Sequence, residues 1–369
     1  MSRKRILFIA SHRPDRAPNQ RFRFEQYFSW LEQNGYSCEL SWFINENDDK
    51  FFYQPGHLWK KIIVQIKSVF VRWRDLRKAR NADIIFVCRE ALMLRFTWFE
   101  KQFFRSGAKV VYDFDDAIWH LDISEANKSF GWLKRPEKTS DLIALSHLVF
   151  AGNAYLADYA RQFNKNILII PSTIDTEVCL PKTEVNNAAP VIIGWMGSIT
   201  TIKHFEFAIP ALRILQQRYG NRIGFKVVGD PSYRNDELGI TGTPWTSAGE
   251  PELLRSMDIG IMPLPDDEWT KGKCGLKGLQ YMAAGIPAVM SPVGVNTEII
   301  RHGENGYLAA KTEEWVEIIS QLIESPELRK QIGDEARATV VARYSVLSQR
   351  DVYLKAFDGL CEANQVQMR

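Results

Sequence analysis

Apolar runs of four to seven residues recur along the chain, and between them apolar positions fall three or four apart. The runs lie at 5–10, 38–44, 83–88, 109–112, 147–151 and 166–170 in the first half, and at 191–196, 224–228, 258–263 and 287–290 in the second. They are continuous rather than alternating, which predicts strands buried on both faces. Such strands separated by helical periods predict parallel sheets covered by helices. Two series predict two doubly wound α/β domains. Between them, residues 172–190 hold Pro181, Asn186, Asn187 and Pro190 with little periodicity, as a linker would. The stretch 348–361 is again helical in pattern.

One helical stretch, 58–80, combines two patterns. Trp59, Ile62, Ile63, Ile66, Val69, Phe70, Trp73 and Leu76 follow helical spacing, while Lys60, Lys61, Lys67, Arg72, Arg74, Arg77, Lys78 and Arg80 fill the remainder. A basic amphipathic helix of this kind is suited to peripheral contact with a membrane surface. A helix packed on its own sheet, with the charged face in solvent, has the same periodicity, so both readings stand.

The densest candidate chemistry lies at 271–300. Lys271, Lys273 and Lys277 crowd Gly272 and Gly275 at the start of a predicted helix. The first amides of a helix are unpaired and its dipole is positive there, so cations and glycines at that point suit a diphosphate. A second small-residue turn, Gly194-Trp195-Met196-Gly197-Ser198, follows the first predicted strand of the second domain and leads to Lys203. Val228-Gly229-Asp230-Pro231 ends the next strand, as a ligand loop or a plain turn. In the first half, Asp113, Asp115 and Asp116 follow a strand within four residues. Such a cluster is costly unless solvated, paired or bound to a cation. After the first strand, Arg16, Arg21 and Arg23 offer planar donors for phosphate or carboxylate, or partners for a local acid.

These segments resemble family 4 glycosyltransferases. Tyr281-Met282-Ala283-Ala284-Gly285-Ile286-Pro287 fits that family's Ala-Met-Ala-x-Gly-x-Pro stretch. The family's two glutamates, eight residues apart, are replaced here by Gly272 and Gln280. The resemblance implies the GT-B fold, two Rossmann-like doubly wound domains facing across a cleft. It implies an acceptor-binding domain over 1–175 and a nucleotide-sugar domain over 190–347, with the 348–369 helix packing back on the first. By position Lys203 matches the family's diphosphate lysine, and Ser198 replaces its arginine. The donor set implied is Gly197, Ser198, Lys203, Lys273, Gly275, Lys277, Gln280 and Glu298, with Gln280 facing the ribose. Capping of the next helix is the competing role for Glu298. Asp115 falls where many relatives place an active-site histidine, so Asp115 and Asp116 are the catalytic candidates, toward sugar hydroxyls; a helix cap or loop network is the competing role. Arg21 and Arg23 are assigned to the acceptor or the diphosphate. GT-B enzymes generally need no metal, so no cofactor is expected.

Composition narrows the partners. Hydrophobic residues make up 45% and charged residues 25% of 369, an ordinary globular balance. Net charge is +3, with residues 1–180 at +6 and the rest at −3, a modest bias that suits an anionic partner or a solvated surface. No nucleic-acid motif stands out. The apolar run at 6–10 is too short for a signal-peptide core. Five scattered cysteines without close spacing suggest a reducing compartment, so cytoplasmic residence is expected, with contact at the inner membrane face if the basic helix binds there. The six histidines form no metal-binding pair. The expected activity is transfer of a sugar, with retention, from a UDP- or GDP-sugar to a carbohydrate or lipid-linked glycan acceptor, as in bacterial cell-surface polysaccharide or lipopolysaccharide synthesis. A GT-B epimerase of the UDP-N-acetylglucosamine type, or a non-catalytic nucleotide-sugar-binding relative, are the alternatives.

Overall fold

The computed structural model describes residues 3–54, 56–120, 135–183 and 190–367. The chain divides into two compact units, Met1–Pro171 with Gln349–Arg369, and Ser172–Ser348.

The first unit holds β1 (Lys4–Ile9), β2 (Tyr36–Ser41), β3 (Ile84–Cys88), β4 (Lys109–Phe114), β5 (Leu148–Ala151) and β6 (Ile167–Ile169). They form one sheet, in the order β2-β1-β3-β4-β5-β6, and every described pairing in it is parallel. Its central strands are apolar throughout because helices cover both faces. Phe8, Phe24 and Phe86 meet there with ring centroids 5.1 to 5.3 Å apart. The final helix, Val346–Gln367, packs on this sheet: Tyr353 stacks on Tyr27 at 4.1 Å, and Asp358 accepts from the Tyr36 hydroxyl at 2.8 Å.

The helix Leu58–Ala79 faces the opposite way from a simple packed helix. Its buried side chains are Lys61, Val64, Ser68, Arg72, Asp75 and Ala79, while Trp59, Ile63, Ile66, Phe70 and Trp73 are exposed. The polar inner face is stable because its groups are partnered. Arg72 donates to the Ala91 carbonyl at 2.7 Å, to the Ala10 carbonyl at 2.6 Å and to Asp75 at 2.8 Å. It thereby ties the helix to the carbonyls that follow β1 and β3. Of the two readings of this helix, the one that packs its apolar stripe on the sheet is corrected: Arg72 lies on the buried face and the stripe is exposed.

The second unit holds β7 (Val191–Met196), β8 (Ile223–Val228), β9 (Arg234–Asn235), β10 (Ile240–Thr241), β11 (Ile259–Met262), β12 (Ala288–Met290) and β13 (Tyr307–Leu308). β9 and β10 make a small antiparallel ribbon; the others form a parallel sheet in the order β13-β12-β11-β7-β8. β9, β10 and β13 are two residues long, too short for any periodicity. The core gathers Trp195, Phe205, Leu212, Ile259, Trp315 and Ile319. The chain leaves β7 to one side for β8 and returns to its other side for β11. That reversal is where open α/β sheets hold ligands.

The described part of the expected linker is strapped to the second unit. Arg337 donates to the carbonyls of Cys179 and Thr176 at 2.7 and 2.8 Å, and Lys182 pairs with Asp258 at 2.6 Å. Residues 184–189 lie outside the described residues. No described helix is long and apolar enough to cross a membrane.

Candidate active site

The turn after β7 is built by close backbone packing. The Met196 N–H donates to the buried Tyr281 hydroxyl at 2.8 Å. Gly197 donates to the Val228 carbonyl at 2.9 Å. A side chain on Gly197 would strike the Trp195 indole at 2.2 Å, and one on Gly229, at φ +122°, would lie 1.7 Å from the Gly197 oxygen. The turns after β7 and β8 are therefore pressed together. Ser198 is exposed, and its N–H donates to the Thr201 hydroxyl at 3.0 Å. Lys203 follows on the exposed side of the next short helix.

The second element is the helix Leu276–Ala283, entered through Gly275 at φ +68°. A side chain there would lie 2.4 Å from Ile299, so both conformation and packing require glycine. The same helix is fixed against the sheet ends, because Gly278 leaves room for Met290 and Gly260 for the Tyr281 ring. Lys277, in its first turn, places Nζ 5.6 Å from the Trp195 ring centroid. Trp195 thus lies against both the Gly197 turn and Lys277. Lys273 stands 4.9 Å from the Trp269 ring. Lys271 is held by Glu268 at 2.7 Å instead. Gln280 follows Lys277 by three residues and is 5% exposed, which leaves little of it for a ribose. Glu298 is exposed in the first turn of the helix Asn296–Ile299.

The electrostatics converge on His204. Its imidazole is buried, its Nδ1 has no hydrogen-bond partner, and its pKa is lowered to about 4. Burial is the largest cause, followed by the positive charges of Lys277, Lys273 and Lys203, with Asp267 opposing. Lysines from two separate segments thus lie within electrostatic reach of the same buried imidazole. A site of that sign, beside glycine turns and a helix amino terminus, is suited to a diphosphate.

In the first unit the candidate residues divide. Arg89, at φ +60°, donates to Asp115 at 2.6 Å and to Asp116 at 2.5 Å, and its backbone N–H donates to the Asp113 carbonyl at 2.8 Å. Burial alone would lower the Arg89 pKa, but the two carboxylates outweigh it and hold the guanidinium above its ordinary value. Asp113 belongs to a different pair. It takes Arg23 at 2.5 Å, and neither side chain is more than 1% exposed. Arg23 also donates to the Ile170 carbonyl. Its expected role toward an acceptor or diphosphate is corrected: the whole guanidinium is spent inside the unit. Arg21 is part-buried and pairs with Asp15 at 2.8 Å; Arg16 pairs with Asp49. The aspartate cluster is thus divided between two arginines rather than converging on one point.

Arg89 and His204 escaped notice in the sequence. Arg89 follows β3 as Asp115 follows β4, and the register sets Cys88 beside Asp113. Opposite charges just past the ends of two neighbouring parallel strands were the available signal. For His204, adjacency to Lys203 within the Gly197–Lys203 motif was the only one.

The two parallel sheets are those of the GT-B fold. A solved structure of Anabaena Alr3699/HepE with UDP and glucose matches at a TM-score of 0.65 and 16% identity, covering 96% of this chain and 99% of that one. Sucrose-phosphate synthase from Thermosynechococcus elongatus matches at 0.70 and 15%, covering 98% and 100%. Residues 190–325 match the family model of glycosyl transferases group 1, so the second unit carries a glycosyltransferase domain. N-acetyl-alpha-D-glucosaminyl L-malate synthase of Bacillus anthracis is 34% identical over 95 residues, 25% of this chain and 24% of that protein. MMP alpha-(1->4)-mannosyltransferase of Mycolicibacterium hassiacum is 23% identical over 216 residues, 54% of this chain and 51% of that protein. The chain thus matches about half or less of the length of these relatives.

Proposed function

We propose that this protein is a retaining glycosyltransferase of the family 4 kind. It moves the sugar of a UDP- or GDP-sugar to a hydroxyl of a carbohydrate or lipid-linked glycan. The observation that carries this reading is the pair of glycine turns pressed together after β7 and β8, with Lys277, in the first turn of the helix entered through Gly275, 5.6 Å from the Trp195 ring centroid of β7. As the glycosidic bond to the donor breaks, negative charge grows on the diphosphate. Fixed cations and helix amides stabilise that state more than the intact sugar nucleotide, which is what accelerates the step. Lys203 and Lys277 are assigned to the diphosphate, with Gly197, Ser198 and Gly275 letting the backbone approach. Lys273 adds charge, and the small exposed part of Gln280 is assigned to the ribose. Three lysines supply the charge a divalent cation would otherwise bring, so turnover is proposed to need no metal. Asp115 and Asp116, held by Arg89, are assigned to sugar hydroxyls. Synthesis of a bacterial surface polysaccharide or lipopolysaccharide, on the cytoplasmic side, is the proposed setting.

The test is a thermal-shift screen against UDP-, GDP-, ADP- and CMP-sugars, with and without magnesium, followed by a transfer assay with the donor that binds. Native-state binding raises the melting temperature by linkage. A rise with a UDP- or GDP-sugar that is equal without magnesium, followed by sugar transfer, is expected. A shift that needs magnesium would overturn metal independence. No shift with any donor would overturn the donor site, and binding without transfer to any glycan acceptor would mark a nucleotide-sugar-binding relative.

A further inference from the structure

The outer face of the helix Leu58–Ala79 is an unusual surface for a soluble unit. Trp59 is 78% exposed, Phe70 70%, Ile63 64%, Ile66 54% and Trp73 53%. They recur every three or four residues and so form one stripe along the helix. The stripe continues beyond it. Trp73 meets Trp98 of the helix Trp98–Phe104 with ring centroids 5.2 Å apart, and Phe96 beside it is 62% exposed. Contiguous apolar patches of this extent mark interaction surfaces.

Charge identifies the partner. Lys60, Arg74 and Arg77 on the first segment and Arg95, Lys101 and Arg105 on the second are exposed. Neither segment exposes a carboxylate. Asp75 is buried against Arg72, and Glu100 against Lys138 at 3.4 Å. The inward turn of Arg72 described above means the apolar stripe is not needed to hold the helix in place. We propose that this face docks on an anionic lipid bilayer. Tryptophan and phenylalanine enter the headgroup and acyl boundary, and the basic rim meets lipid phosphates. A second copy of the chain is a poorer occupant, because the same basic rim would then meet itself. This surface lies on the first unit and is independent of the diphosphate site, so either reading can fail alone.

The test uses the full chain in vesicle flotation, comparing phosphatidylcholine vesicles with vesicles containing phosphatidylglycerol. Binding to the anionic vesicles, a blue shift in tryptophan emission, and release as salt rises from 0.05 to about 0.5 M are expected. F70E should weaken that binding by roughly tenfold or more. Paired R74E and R77E should abolish the preference for anionic lipid. Both variants alter exposed side chains, so their melting temperatures should match the parent. Equal binding by parent and F70E overturns the proposal. So does absence of vesicle binding, with or without a dimer in sedimentation equilibrium that F70E dissociates.

Discussion

Arg23 closes on Asp113 inside the first unit, at 2.5 Å and with essentially no exposed side-chain surface on either partner. The Tyr353 hydroxyl of the final helix donates to the Arg23 carbonyl, so the pair also anchors the chain's last element. R23M leaves the Asp113 carboxylate buried without a counter-charge. A loss of roughly 3–5 kcal/mol in urea denaturation is expected, with nucleotide affinity of the remaining folded protein unchanged.

Arg89 serves two carboxylates from a left-handed backbone position that disfavours any side chain. R89A should cost about 2 kcal/mol, since Asp115 and Asp116 lose their shared cation while partly buried. R89G loses the same bonds but relieves the backbone by roughly 1 kcal/mol. Thermal unfolding should therefore rank parent above R89G above R89A. The reverse order of the two variants would mean the φ value carries no strain.

At the proposed donor site, K277A should weaken binding of the matching nucleoside diphosphate by about tenfold or more in calorimetry, as expected for a charge-assisted contact. K330A is the control. Lys330 is exposed, pairs with Asp334 at 2.7 Å, and belongs to the helix Pro326–Thr339. It should change affinity less than about twofold. Equal effects would remove Lys277 from the site.

His204 predicts an acid limit to stability. Its folded pKa, about 4, lies below its ordinary 6.5. The unfolded chain therefore takes up the proton first as pH falls. Stability is unaffected above about pH 6.5 and declines between there and about pH 4. H204Q should flatten part of that decline in pH-dependent denaturation. A remainder should persist, because burial and Arg16 lower His12 to about 4 as well.

Much of the architecture was legible because fully buried strands are continuous apolar runs. β7 begins and ends where its apolar run does, and the other long strands differ by a few residues at their ends. Strand order was not legible, and with it went the Arg89 contact, which depends on β3 lying beside β4. The helix Leu58–Ala79 shows a second limit. Periodicity locates an apolar stripe but says nothing of which side meets the sheet, and Arg72 reverses the usual answer by satisfying backbone carbonyls. Arg23 illustrates a third: an arginine suited to phosphate is equally suited to a buried aspartate 90 positions away. The glycine and lysine motifs were visible as residues. That Lys277 lies 5.6 Å from the Trp195 ring centroid at the end of β7 required the fold.

Close packing of Gly197 and Gly229 limits how the proposed donor site can be redesigned. A side chain on Gly229 would lie 1.7 Å from the Gly197 oxygen, and one on Gly197 would lie 2.2 Å from the Trp195 ring, so neither glycine can be replaced without displacing its neighbour. A saturation library across this rim should return almost no functional clones at either glycine. Variation would be confined to Ser198, Ile199 and Thr200, the exposed positions that follow. Substrate range in this scaffold would then be adjustable along one short segment, with the backbone around it serving as a fixed template.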